Sequence, residues 1–185
     1  MKPKAGRVYW VTGLSGAGKT TLATRLVAGL SALEIPSVLL DGDDLRTVLV
    51  GQDAEGFGRQ DRLALGLRYA KLAQILSIQG IDVVVATISM FDDVYNWNRE
   101  NIELYTEVFL DVPMAELRRR DSKGLYRRSG EETDMEVAGV QVPVDLPQDP
   151  TIHLIWRPEE SRESVFARLC EELDHLGVTE IGVER

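Results

Sequence analysis

Apolar residues follow two rhythms along this chain. Short runs rich in Val, Ile and aromatic residues fall at residues 8–12, 35–41, 81–88, 104–112 and 151–156, each bounded by Gly, Pro or Asp, and read as strands. Between them, apolar residues recur three or four apart. Leu22, Leu26, Val27 and Leu30 make one stripe over residues 19–33, and Leu63, Leu67, Ala70, Ala73 and Leu76 make another over 60–79, ended by Gly80. Shorter helical stretches are expected at 44–50, 91–101 and 114–123. A last helix, at 158–176, carries Val165, Phe166, Leu169 and Leu173. Segment 81–88 is almost wholly apolar and β-branched, which predicts a central strand buried on both faces. Strands alternating with helices predict a three-layer α/β/α fold around a mostly parallel five-stranded sheet. Residues 51–59 and 129–150 have no periodicity and read as loops, the second long enough to imply a function.

With 185 residues, the chain suits a single domain over 1–185. Its formal charge of −9 argues against nucleic acid or an anionic membrane as partner, since both call for a basic face. Cys170 has no second cysteine to pair with and lies on the apolar stripe of the last helix. It reads as a buried small hydrophobe in a reducing compartment. The basic N-terminal residues are followed by too few apolar ones for a secretory signal or a spanning segment, so a cytoplasmic location is expected.

The strongest chemical signal directly follows the first strand. Gly13, Leu14, Ser15, Gly16, Ala17, Gly18, Lys19 and Thr20 satisfy G-x-x-x-x-G-K-[ST] and open a helix that continues through Thr21. Glycines let successive backbone N–H groups curl around a phosphate, and the helix N-terminus adds partial positive charge. Lys19 has the reach to meet the β- and γ-phosphates of ATP, and the Thr20 hydroxyl is suited to Mg²⁺. Two further segments fall where ligands bind in a doubly wound sheet. Asp41, Gly42, Asp43, Asp44, Leu45 and Arg46 end the second strand, where a carboxylate orients metal-bound water or accepts a proton and Arg46 holds an anion. Asp43 or Asp44 equally suits a helix cap there. Arg118, Arg119, Arg120, Lys123, Arg127 and Arg128 crowd one segment of an acidic chain, as in a lid that closes over transferring phosphates at about residues 118–147. For Arg118 and Arg119 a solvated helix face is the better reading.

Taken together, these segments resemble the adenylylsulfate (APS) kinase family, over roughly residues 6–156. The family's G-L-S-G-x-G-K-[ST]-T is matched at 13–21, its L-D-G-D-x-[VIL]-R at 40–46, its G-F-x-x-x-D-R at 56–62 and its R-D-x-K-G-L-Y at 120–126. The resemblance implies transfer of the γ-phosphoryl group of ATP, with Mg²⁺, to the 3′-hydroxyl of adenylylsulfate, by a homodimer. It makes Asp43 the carboxylate beside the accepting hydroxyl, with Asp41 in support and as a metal ligand with Thr20. Arg46, Phe57 and Arg62 would clamp the acceptor, Phe57 by stacking on its base. The lid block would bring Arg120 to ATP and Lys123 and Leu125 to the acceptor. Ser89, after the third strand, carries a phosphoserine role in the family. Direct in-line transfer, with Ser89 as a hydrogen-bonding wall, fits better a reaction that rests on positioning and charge neutralisation.

Departures from the family pattern gather on the acceptor side. Leu65 stands where an Asn is usual, Met90, Phe91 and Asp92 replace Pro, Tyr and Arg, and Gln141 and Val144 replace an Asp and a Tyr of the late loop. Arg99 is expected to restore the positive charge lost at Asp92. The alternatives are therefore a divergent APS kinase and a related kinase acting on another nucleotide conjugate, as cytidine diphosphoramidate kinases do. A non-catalytic nucleotide sensor is disfavoured, because Lys19, Thr20 and Asp43 are all present.

Overall fold

In the computed structural model, which describes residues 4–50, 58–121, 124, 126–127 and 137–178, the first apolar run forms β1 (Val8–Thr12), buried throughout. The other strands are β2 (Ser37–Asp41), β3 (Asp82–Thr87), β4 (Tyr105–Asp111) and β5 (Ile152–Ile155). They form one sheet in the order β2-β3-β1-β4-β5, and every pairing is parallel. Parallel pairing requires a crossover after each strand. These are supplied by α1 (Lys19–Ala32), α2 (Gly42–Val50) with α3 (Arg59–Ser77), α4 (Asp92–Asn101) and α5 (Met114–Arg120), and α6 (Arg162–His175) follows β5.

Strand alternation sorts the core into two layers. Tyr9, Val11, Val84, Ala86, Val108 and Leu110 face α1 and α6, where they meet Leu22, Leu26, Leu30, Leu169 and Leu173. Val8, Trp10, Val83, Val85 and Phe109 face α3 and α4, against Tyr69, Ala70, Ala73, Val94 and Tyr95. This is the expected three-layer arrangement. Cys170 packs in the first layer at 1% exposure, and burial pushes its thiol up to about 11, so it stays a neutral hydrophobe.

Some boundaries differ from the periodicity. The helix expected from residue 44 begins at Gly42, because the chain turns as soon as β2 ends. The last helix begins at Arg162 rather than 158. A turn with Glu159 at φ 63° precedes it, and the Ser161 side chain accepts the Ser164 N–H as an N-cap. Helix α5 stops at Arg120, since Asp121 has left the helical region at φ 26°. The loop expected at 51–59 lies outside the described residues up to 57.

Candidate functional site

Parallel strands gather their carboxyl ends on one edge of the sheet. Thr12 pairs with Thr87 and Phe109, and Asp41 with Ala86, so the segments following β1, β2 and β3 emerge side by side.

The loop after β1 uses its glycines in three ways. Gly13, Gly16 and Gly18 sit at φ 150°, 79° and 104°, a region L side chains rarely adopt. A Cβ on Gly13 would also lie 2.7 Å from the Leu110 carbonyl oxygen, so the loop has to hug β4. Gly18 is the N-cap of α1 and brings no capping side chain, which leaves the first-turn amides to an anion. Lys19 Nζ donates to the Leu14 carbonyl at 2.9 Å, holding the ammonium along the loop it is expected to serve. Ser15 and Ala17 are buried, Leu14 and Thr21 half-buried.

Thr20 and Asp41, 21 residues apart, meet directly. The Thr20 hydroxyl donates to Asp41 Oδ2 at 2.7 Å, and Asp41 Oδ1 accepts the Asp43 N–H at 2.9 Å. A hydroxyl and a carboxylate suit Mg²⁺, which takes hard oxygen donors and commonly completes its shell with phosphate and water. Among the described residues no cluster of three or more His, Cys, Asp or Glu forms an all-protein cage, and such an ion needs none. Asp43 is exposed in the first turn of α2, with Arg46 Nη2 3.5 Å from its carboxylate. The Tyr69 hydroxyl donates to the Gly42 carbonyl at 3.1 Å and pins the turn. Burial raises the Tyr69 hydroxyl to about 12, with Arg46 opposing and Asp43 and Asp41 adding to the rise, so it remains a donor at neutral pH.

Two segments close over this edge. Tyr126 donates from its hydroxyl to the Ser15 carbonyl at 2.8 Å, and its N–H donates to Asp121 Oδ1 at 3.0 Å. Farther on, Gly139 at φ 81° presses on the P-loop, where an added Cβ would meet Leu14 Cδ2 at 2.6 Å. Gly139→Ala should therefore destabilise the protein by about 1–3 kcal/mol. Urea unfolding checks this, and an unchanged midpoint would show that the contact is slack.

The acceptor-side residues divide. Arg46 lies on α2 beside Asp43, and Arg62 lies on α3, one turn before Gly66. Ser89 is buried, 2.8 Å from the Thr87 hydroxyl, and α3 reaches it at Gly66, where a Cβ would stand 3.1 Å from Ser89 Cβ. The Ser89 hydroxyl is thus already engaged with a neighbouring hydroxyl in a buried position. Arg120 donates to Glu116 at 2.8 Å, and hydrogen bonds from Arg119 first and Arg120 second hold that carboxyl down to about 2. Phe57, Lys123 and Leu125 lie outside the described residues.

Arg99 departs from expectation. It pairs with Glu107 at 3.0 Å, a carboxylate 1% exposed in β4. Helix α4 returns from the carboxyl edge to the opposite edge, and Arg99, near its end, is carried away from the edge that holds Thr20, Asp41 and Asp43. There it compensates a buried carboxyl that desolvation has raised. Four of the six altered positions share one apolar layer. Leu65, Met90 and Phe91 are buried in the α3/α4 layer, and Val144 packs against it. Met90 is wholly buried, so it shapes a site only through its neighbours.

Sequence reasoning missed two residues here. Arg59 Nη2 lies 2.6 Å from Asp145 Oδ2, and its guanidinium stands 5.0 Å over the Phe91 ring. These groups are 86 residues apart, and only the unbroken G-F-x-x-x-D-R match, which spans Arg59, hinted at the segment.

A model of the adenylylsulphate kinase family matches residues 5–155. An adenylyl-sulfate kinase of Deinococcus deserti is 40% identical over 173 residues, 94% of this chain and 92% of that one. A cytidine diphosphoramidate kinase of Campylobacter jejuni is also 40% identical, over 141 residues, 76% of this chain and 81% of its own. Among solved structures, the APS kinase of Mycobacterium tuberculosis in complex with AMPPNP and APS superposes with a TM-score of 0.80 at 32% identity, covering 93% of this chain and 99% of that one.

Proposed function

The chain belongs to the adenylylsulphate kinase family and is a phosphotransferase, and we propose that it transfers the γ-phosphoryl group of ATP to the 3′-hydroxyl of adenylylsulfate. The observation that carries this reading is the hydrogen-bonded run from Thr20 through Asp41 to Asp43. It joins the phosphate cradle, two oxygen donors for a metal and an exposed carboxylate in one rigid turn.

Each group then has a task. The Gly13–Thr20 amides and Lys19 hold the β- and γ-phosphates and neutralise charge as it moves onto the leaving oxygen. Thr20 and Asp41 would hold Mg²⁺, which when bound draws the phosphate oxygens together and offsets their charge. Asp43, fixed by its own amide on Asp41, accepts the proton of the attacking hydroxyl. Arg46 and Arg62 hold the anionic end of the acceptor, and Phe57 stacks on its base. Ser89 backs the pocket without forming a covalent bond. Arg120 and Lys123 close from the lid over residues 118–147, Arg120 on ATP and Lys123, with Leu125, on the acceptor. In this reading the enzyme is a single-domain cytoplasmic homodimer, with neither nucleic acid nor a membrane as partner. The charge of −9 supports the last point, since both partners call for a basic face.

A second acceptor has a specific observation in its favour. Leu65, Met90, Phe91 and Val144 all depart from the family pattern and lie in one apolar layer, as expected of a pocket rebuilt for a different base, and a cytidine diphosphate conjugate is the matching candidate. A pocket that hydrogen-bonds one base rejects another strongly, because its own polar groups are left unpaired. The lid block and the two arginines keep adenylylsulfate in first place. ADP release measured with each acceptor decides the matter. A micromolar KM for adenylylsulfate is expected. Turnover of the cytidine conjugate with none of adenylylsulfate would transfer the reading to the second acceptor.

A further inference from the structure

The late loop spans both ends of the site. It presses on the P-loop at Gly139, and six residues later Asp145 fastens it to the acceptor side. The Asp145 carboxylate accepts from Arg59 at 2.6 Å and from the Asp92 N–H at 3.2 Å. Its own N–H donates to the Met90 carbonyl at 2.9 Å, and its carbonyl accepts from the Tyr95 hydroxyl at 3.4 Å. Arg59 makes a second bond into the loop, to the Pro143 carbonyl at 2.8 Å. One residue thus stitches the loop to the turn that follows β3, where Ser89 sits, and one arginine stitches it to α3.

The environment makes the pair more than a surface contact. Arg59 is 39% exposed and Asp145 29%. Phe91 covers one face of the guanidinium and belongs, with Leu65 and Met90, to the apolar layer that Val144 packs against. Burial pushes the Asp145 carboxyl up, yet the Arg59 hydrogen bond, the Asp92 amide and the Arg59 charge outweigh it, leaving the group below the usual carboxylate range. The pair therefore remains ionised at neutral pH. Arg59 also lies one turn before Arg62, so the two share a face of α3. The cation expected at Arg99 stands instead at Arg59, beside Asp92.

We propose that Arg59 and Asp145 are a positioning pair that holds residues 143–145 against the Ser89–Asp92 turn, forming one wall of the acceptor pocket and setting how tightly the acceptor binds. This rests on the reading that a nucleotide conjugate binds between α3 and that turn. The pair acts through the loop it holds and leaves ATP binding to the P-loop.

A double-mutant cycle with Arg59→Met, Asp145→Asn and the combined variant tests it. Each single change is expected to raise the acceptor KM roughly 10-fold, with the ATP KM within about twofold of the unmodified enzyme. The combined variant should be no worse than the worse single one, because each change already breaks the same wall. Arg59→Lys keeps the cation but not the fork that spans Asp145 and Pro143, so it should recover only part of the loss. Effects that multiply would mean that Arg59 meets the acceptor itself, and an unchanged KM would mean that the wall does not matter; either result overturns the proposal. Amide exchange without substrate gives a readout independent of activity. The Asp92 and Asp145 amides should exchange at least roughly 10-fold faster in Arg59→Met, and unchanged rates would overturn the pair even if the acceptor were misassigned. Failure of the unmodified enzyme to turn over either acceptor would instead count against the proposed function.

Discussion

Lys19→Ala should reduce turnover by about 10²–10³-fold or more, roughly 3–4 kcal/mol of transition-state stabilisation, while the fold persists. In the structure the ammonium does little for stability. It makes a 2.9 Å hydrogen bond to the Leu14 carbonyl and lies half-buried on a loop already shaped by its glycines. Losing that bond should cost about 1 kcal/mol of unfolding free energy, the usual net worth of one hydrogen bond. The catalytic loss is larger because no other described cation lies on the P-loop to meet charge developing on the β–γ bridge. Steady-state kinetics beside a thermal melt separates the two effects. Turnover within a few-fold of the unmodified enzyme would remove Lys19 from the phosphate site.

Asp43→Asn should lower kcat by roughly 10²-fold or more and leave the KM for ATP nearly unchanged. The substitution keeps the size of the side chain, and the bond fixing the turn runs from the Asp43 backbone to Asp41 Oδ1, so the turn should survive. What is lost is a base for the attacking hydroxyl. Asp41→Asn should behave differently, since Asp41 bonds both Thr20 and the Asp43 amide, and its replacement disturbs the metal donors and the turn together. If Asp43→Asn instead raised the ATP KM and spared kcat, Asp43 would be a ground-state nucleotide ligand.

The donor end of the site was legible in the sequence because its parts are local. The P-loop occupies eight consecutive residues after a strand that reads clearly, and Asp41 is placed by the end of β2. The sheet was legible for a related reason, as its strands are short β-branched runs between helices of regular period. The acceptor end was harder, because it is assembled from distant pieces. Nothing in spacing tells that Arg59 reaches Asp145, or that Arg99 is turned toward the opposite edge by the direction of α4. Glu107 carried no signal either. A glutamate inside an apolar strand makes sense only once Arg99 and the Tyr105 hydroxyl are seen at 3.0 Å from its oxygens. The altered positions 65, 90, 91 and 144 looked like separate ligand contacts. In the fold they belong to one apolar layer between the sheet, α3 and α4, so changes there alter a shared packing.

Product analysis tests most directly whether the γ-phosphoryl group of ATP passes to a nucleotide hydroxyl. The purified protein, incubated with Mg²⁺, ATP and adenylylsulfate, should yield ADP and a new 3′-phosphomonoester in equal amounts, seen by phosphorus NMR and mass spectrometry. ADP formed with only inorganic phosphate beside it, whether the acceptor is adenylylsulfate or a cytidine diphosphate conjugate, would contradict the account.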